Sequence, residues 1–325
     1  MSKLPQYSDI LTAASVLRGK AVRTPLISNS VLDDRVGGRV FLKPECLQKT
    51  GSFKFRGAFN ALSNVGEAGR KRGIVACSSG NHAQGVAEAA RLLGYEATII
   101  MPEDAPELKK QRTARSGAKI IEYDRYSQDR EALTEQHAEE TGAILVHPYE
   151  NFHVIAGQGT VGLEACEDMK EMGLEPDHFL VCAGGGGLMA GITLAAKHAF
   201  ADIHVHPVEP VGHDDQRRSH EAGERLGGND KSPSLCDAIL TPMPGEASFA
   251  ICQGKLGEGL LVTDEQALEA VAFAFNELKL VVEPGGAVTL AALLSGQLDI
   301  RGKTALATLS GGNIDAPVMA QALGL

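Results

Sequence analysis

Short apolar runs rich in β-branched residues alternate with helix-length stretches over most of the 325 residues. "GIVACSS" (73–79) reads as a strand and "NHAQGVAEAARLLG" (81–94) as the helix that follows it. "EATIIMP", "AKIIEY" and "AILVHP" are further strands, each set apart by a helix-length segment. "HFLVCAGGGG" (178–187) precedes the alanine-rich "LMAGITLAAKHA", and "IHVHPVEP" (203–210) and "TALATLSGGN" (304–313) repeat the strand-then-turn order. This alternation predicts βαβ units, with mostly parallel sheets covered by helices on both faces. Ligands of such sheets gather at the carboxyl ends of the strands. Three of the runs end there in small-residue clusters: "SSGNHAQ", "AGGGGLMAG" and "SGGN".

The length suggests two domains. A hydrophobic share of 43% against 22% charged residues supplies an ordinary buried core. The net charge of −10 is spread along the chain without a basic block, which argues against nucleic acid or an anionic membrane as partner. No apolar run approaches the ~20 residues that span a bilayer. The start, "MSKLPQYSDILTAASVLRGK", lacks the apolar core of a secretory signal, so a cytoplasmic location is expected. The six cysteines are scattered without a CxxC pair and read as reduced thiols.

Each cluster has a plain and a chemical reading. Gly184–Gly187 is either a tight strand-to-helix turn or a cup whose bare N–H groups, with the helix start behind them, suit a phosphate. A dinucleotide site is a third choice, for which Glu209 is only a loose match to the required acidic residue. Ser78, Ser79, Asn81 and His82 stand where a helix begins, as caps or as a grip for a carboxylate. "SGGN" (310–313) is an αβ turn or a polar strand end facing a ligand. Lys54, in "KTGSFKFRGAF" between Phe53 and Phe55, is a surface charge or an amine kept reactive by desolvation. A phosphate cup, a carboxylate grip and one such lysine together fit pyridoxal phosphate. A nicotinamide-dependent oxidoreductase and a non-catalytic small-molecule binder are the competing classes.

The chain resembles the fold-type II pyridoxal-phosphate enzymes, in the serine/threonine dehydratase and serine racemase branch. The resemblance rests on "KTGSFKFRGAFNAL", "SSGNHAQGVA", "HPYENFHVIAGQGTVGLE", "AGGGGLMAGI", "VVEPGGAVTLAALL" and "SGGNID", all in family order. It implies an α/β fold like that of the tryptophan synthase β subunit, with two doubly wound open parallel sheets. The large domain would comprise 1–50 plus 149–325, and a small mobile domain, 51–148, would carry Lys54 and Asn81.

By the same resemblance Lys54 is the Schiff-base lysine. The cofactor would also be held by Phe53, Asn81, Glu283, the N–H groups of Gly184, Gly185, Gly186, Gly187 and Leu188, and Ser310 at the pyridine nitrogen. A hydroxyl there makes the ring a shallower electron sink than an aspartate would. Ser78, Asn81 and His82 would hold the substrate carboxylate. Ser79 resembles the racemases' second proton-handling group, on the ring face opposite Lys54, against the alternative that it only packs the turn. Glu209, Asp215 and a backbone carbonyl near His213 match the family's divalent-cation site, whose oxygen donors suit Mg²⁺, Mn²⁺ or Ca²⁺. Arg130 aligns with an arginine at the substrate, where it would pair with a second carboxylate.

These features together imply a dehydratase (ammonia-lyase) for a β-hydroxy-α-amino acid, with 3-hydroxyaspartate the first choice. L-Threonine or L-serine dehydration is the second and serine racemisation the third. The fifteen residues after Ser310 leave no room for the regulatory domain of biosynthetic threonine dehydratases, so isoleucine feedback is not expected. Ala238 stands where relatives carry glycine, which leaves the pocket around the β-substituent open to change. The resemblance also implies a homodimer.

Overall fold

The computed structural model describes residues 3–78, 80–105, 107–124, 126–227 and 233–325. Its strands form two sheets, and every pair of neighbouring strands runs parallel. The larger sheet has the order β1-β9-β6-β7-β8, built from β1 (Arg39–Pro44), β6 (His178–Cys182), β7 (His204–Pro210), β8 (Leu260–Val262) and β9 (Thr304–Leu309). The smaller has the order β4-β3-β2-β5, from β2 (Ile74–Cys77), β3 (Ala97–Pro102), β4 (Lys119–Tyr123) and β5 (Ile144–Leu145). Two open parallel sheets with helices between their strands are the α/β arrangement that the resemblance implies.

Two strands had no clear sequence signal. β1, "RVFLKP", carries Lys43 in its interior, yet Lys43 is fully buried because its ammonium reaches Glu164 at 2.8 Å and the Thr24 carbonyl at 2.5 Å. β8 is three residues long, too short for a period to register. "AILVHP" in turn keeps only Ile144–Leu145 as strand. Its later residues turn into the cleft instead.

Each sheet has one point where the chain reverses its direction of travel. From β6 the helix Gly187–Ala199 leads outward to β7, whereas β9 lies on the other flank of β6. From β2 the helix Asn81–Leu93 leads to β3, whereas β5 lies on the other flank of β2. A crevice opens at such a point because the two connections diverge. The ends of β6 and β9 are the glycine cluster and "SGGN", and the ends of β2 and β5 are "SSGN" and "VHPY". The helices around each sheet bury separate apolar cores, the larger around Phe179–Val181 and Leu306–Ala307, the smaller around Ile74, Ala76 and Ile99.

Candidate active site

A cavity of about 330 Å³ is lined by residues from both crevices. The strand ends supply Ser78, Gly80, Asn81, His82, Val146–Tyr149, Gly184–Leu188 and Ser310, and the start of the helix Lys54–Ser63 supplies Phe53 and Lys54.

That helix start is pinned from two sides. The Phe53 N–H donates to the Ser310 carbonyl at 3.1 Å. One turn on, the fully buried Arg56 donates to Glu45 at 2.8 Å and to Glu164 at 2.6 and 2.8 Å. Lys54 is thereby aimed into the cavity, its Nζ 3.4 Å from the Pro148 carbonyl and 5.1 Å from the centre of the Phe53 ring. Burial pushes its pKa down to about 8, against the weaker opposing pull of Cys182 and Glu283.

The glycine cluster cannot carry side chains. Gly186 has φ +89°, and a Cβ on Gly185 would lie 2.3 Å from the Tyr149 ring. The Gly184 carbonyl accepts from Gln216 Nε2 at 2.5 Å and the Gly185 carbonyl from Ser248 Oγ at 2.8 Å. Those bonds leave the loop's N–H groups, and the start of the helix Gly187–Ala199, for an anion. Across the cavity, Asn81 Nδ2 donates to Glu283 at 2.5 Å and Asn81 Oδ1 accepts from Asn313 at 2.6 Å. Burial raises the Glu283 carboxyl to about 7, with the Asn81 hydrogen bond working against it. Ser310 is buried beside them, its N–H donating to Gly286 at 3.3 Å.

Ser78 Oγ accepts from the Gly80 N–H at 3.1 Å and so shapes the start of the helix Asn81–Leu93. His82 Nε2 meets the Val146 carbonyl at 2.9 Å, and only a ring N–H can make that bond. Burial, with the nearby Lys54 charge, takes the His82 pKa down to about 3, so the ring is neutral and the buried Nδ1, without a partner, is an acceptor. Arg130 begins the helix Arg130–Thr141 on the cavity wall, its side chain half exposed and 3.9 Å from Glu131. Ser79 lies outside the described residues.

Glu209, His213 and Asp215 do not line the cavity; Gln216, next to Asp215, bonds both Glu209 and the Gly184 carbonyl and so links this segment to the glycine loop. The Glu209 carboxylate accepts from the Gln216 and Arg217 N–H groups at 2.8 and 2.9 Å, and the His213 N–H closes a turn onto Pro210 at 3.0 Å. Asp215 Oδ2 is buried without a partner, and burial raises its carboxyl to about 7 and that of Glu209 well above the usual range. Two buried carboxyls with raised pKa are a donor set that a hard cation would relieve. Among the described residues no group of three His, Cys, Asp or Glu side chains is arranged round one point, so such an ion would also need backbone or water oxygens.

Sequence reasoning missed four residues that shape the site. Lys109 lines the cavity and reaches Asp237 at 3.1 Å. Burial opposes its charge, but Asp237 and Asp315 outweigh that and hold its pKa above the usual value. His147, brought down to about 4 by burial, accepts from the Glu150 N–H at 3.0 Å through Nδ1 and orders the turn before Tyr149. Tyr149 walls the glycine loop, and Gln216 ties that loop to the Glu209 cluster. "HPYE" was visible as part of a motif, but Lys109 and Gln216 sit in ordinary charged helices with nothing to distinguish them. Ala238 lines the cavity next to Asp237.

The family model described as pyridoxal-phosphate dependent enzyme matches residues 17–311. An L-threo-3-hydroxyaspartate ammonia-lyase of Pseudomonas sp is 42% identical, covering 96% of this chain and 97% of that protein. A serine racemase of Schizosaccharomyces pombe is 39% identical over 96% of this chain and 95% of that protein. The crystal structure of a threonine deaminase from T.th. superposes with a TM-score of 0.90 at 40% identity, covering 96% of this chain and 99% of that one.

Proposed function

The chain belongs to the family of pyridoxal-phosphate-dependent enzymes, and from that premise we propose that it is an ammonia-lyase that removes water from 3-hydroxyaspartate. The products are iminosuccinate and, after hydrolysis, oxaloacetate and ammonium. The observation that carries this reading is the presence of the desolvated Lys54 amine and the Arg130 guanidinium on the walls of one cavity. A dicarboxylic substrate needs a cation beyond those groups that hold its α-carboxylate, and Arg130 matches a carboxylate in two-point fashion.

Lys54, Phe53, Asn81, Gly184–Gly187, Leu188, Glu283 and Ser310 would hold pyridoxal phosphate, with the phosphate in the glycine cup that a Cβ would fill. When bound, the cofactor supplies an aldehyde for amine capture and a ring that draws electrons from the substrate's α-carbon. Lys54, with its pKa near 8, is partly neutral at physiological pH and takes the α-proton. Ser79 is the second proton-handling group, for the opposite stereoisomer. Ser78, Asn81 and the N–H groups at the start of the helix Asn81–Leu93 hold the α-carboxylate. His82 borders it, but its free ring nitrogen accepts and so faces a donor of the substrate, an ammonium or a hydroxyl.

Glu209, Asp215 and the carbonyl at His213 hold a divalent oxygen-loving cation, Mg²⁺ first, with Mn²⁺ or Ca²⁺ as substitutes. The small domain, 51–148, closes on the large domain, 1–50 plus 149–325, and keeps water from the reacting carbons. The Lys109–Asp237 pair and the Arg112–Asn313 bond, both at 3.1 Å, run between those two parts. A homodimer in the cytoplasm, acting on a small amino acid and touching neither nucleic acid nor membrane, completes the reading. Among the described residues no helix is long and apolar enough to cross a membrane.

L-Threonine or L-serine dehydration is the second reading, favoured by the likeness to the threonine deaminase structure and by the half-exposed position of Arg130. Serine racemisation is the third, on the likeness to the yeast racemase. An ammonium-release panel separates them: L-serine, D-serine, L-threonine and the four 3-hydroxyaspartate stereoisomers, with and without chelator. Arg130→Ala should lower kcat/KM on the preferred hydroxyaspartate by about 10–100-fold and leave L-threonine within about 3-fold. Chelation should lower the rate and Mg²⁺ restore it. Equal loss on both substrates removes the case for hydroxyaspartate.

A further inference from the structure

The opposite end of the larger sheet carries a group that the reaction does not use. His178 at the start of β6 and His204 at the start of β7 are register partners, and His206 follows two residues along β7. Register partners on parallel strands, and residues two apart on one strand, point to the same face, so three imidazoles share one patch. Their ring centres lie 5.2 Å (His178–His206), 5.8 Å (His178–His204) and 6.2 Å (His204–His206) apart.

The hydrogen bonds fix the tautomers. His206 Nδ1 meets the Glu258 carbonyl at 2.9 Å, and since a carbonyl only accepts, the proton is on Nδ1. His206 Nε2 therefore presents a lone pair, 3.1 Å from His178 Nδ1. Two nitrogens held about 2.0–2.1 Å from a tetrahedral zinc ion stand about 3.3 Å apart. Imidazole ligands of a metal commonly give their other N–H to a backbone carbonyl, as His206 gives its own to Glu258. Gly257 holds this arrangement in place, since a Cβ there would lie 2.7 Å from the His206 ring.

We propose that His178 and His206, completed by rotation of the exposed His204 side chain, form a binding site for a first-row divalent ion of the zinc, nickel and copper group. Among the described residues no three such side chains already surround one point, so the third ligand arrives with the ion. On binding, the His178 proton moves from Nδ1 to Nε2, so both rings stay neutral and His178 Nδ1 and His206 Nε2 both offer a lone pair to the metal. The site differs in kind from the carboxylates at the far end of the same strand. Glu209 lies three residues further along β7 than His206, about 10 Å, and imidazole selects zinc-like ions where oxygen selects magnesium-like ones. An ion there ties β6, β7 and the Glu258 loop together and stabilises the fold by mass action.

The test is calorimetric titration of ZnCl₂ into the untagged holoenzyme, with Mg²⁺ in excess to occupy oxygen-donor sites. One equivalent should bind to the wild type, and His204→Ala should weaken it by at least ~10-fold. Circular dichroism checks each variant's fold. Because His204 is exposed, its variant decides the question even if His178→Ala fails to fold. Cu²⁺ in the same protein should give an electron paramagnetic resonance spectrum with coupling to more than one nitrogen. Zinc affinity unchanged in His204→Ala, or no zinc bound up to millimolar concentration, overturns the site.

Discussion

Among the described residues the Lys54 amine has one hydrogen-bond acceptor, the Pro148 carbonyl at 3.4 Å, and no carboxylate close enough to offset its burial. The ammonium form is therefore disfavoured in the fold, and the pKa falls from 10.5 to about 8. The sign is that of a lysine whose neutral form the fold prefers: the neutral amine gains as pH rises through 8, two units and more below an exposed lysine. In cofactor-free protein, labelling of Lys54 by an amine-selective reagent, read by peptide mass spectrometry, should reach half its maximal rate near pH 8. A midpoint near 10.5 would mean that the amine is solvated. The neighbouring ionisable groups are arranged to the same end: His82 and His147 are held neutral, near 3 and 4, so neither adds a positive charge beside the amine.

Among the elements, the helix Lys54–Ser63 depends most on buried charge. Arg56, on its first turn, lies between Glu45 and Glu164, with Thr160 Oγ1 at 3.2 Å; Arg56, Glu45 and Thr160 are buried and Glu164 is only slightly exposed. Burial drives the Glu164 carboxyl up, but the Arg56 hydrogen bonds and the charges of Arg56 and Lys43 outweigh it and hold it below the usual range. Arg56→Met strips the buried Glu45 of its cation and leaves Glu164 with Lys43 alone, and should cost about 3–5 kcal/mol in denaturant unfolding. A loss under about 1 kcal/mol would show that the network is not what fixes the helix. Lys54 and the glycine cluster were legible because their chemistry requires a particular residue type: an amine, and positions without Cβ. Arg56 read only as a charge near Lys54, since Glu45 and Glu164 reach it from distant parts of the chain. β1 was hidden for the same reason, its buried Lys43 looking polar until Glu164 is brought opposite. Lys109 was hidden because only the fold sets its helix against Asp237 and Asp315.

For the whole molecule, the alternation of strand and helix was enough to anticipate mostly parallel sheets and ligands at their carboxyl ends; that there are two sheets was implied by the resemblance. What it could not give was the meeting of the two crevices, which depends on strand order: β9 beside β6 and β5 beside β2. That order puts four loops around one cavity, and the amine at its floor is the group on which the account depends. Reduction of the purified protein with borohydride in the presence of pyridoxal phosphate, followed by peptide mapping, tests this most directly. The account predicts one phosphopyridoxyl group per chain, on Lys54, and none in Lys54→Ala. An unlabelled Lys54, or a label spread over other lysines with Lys54 no more modified than the rest, would contradict it.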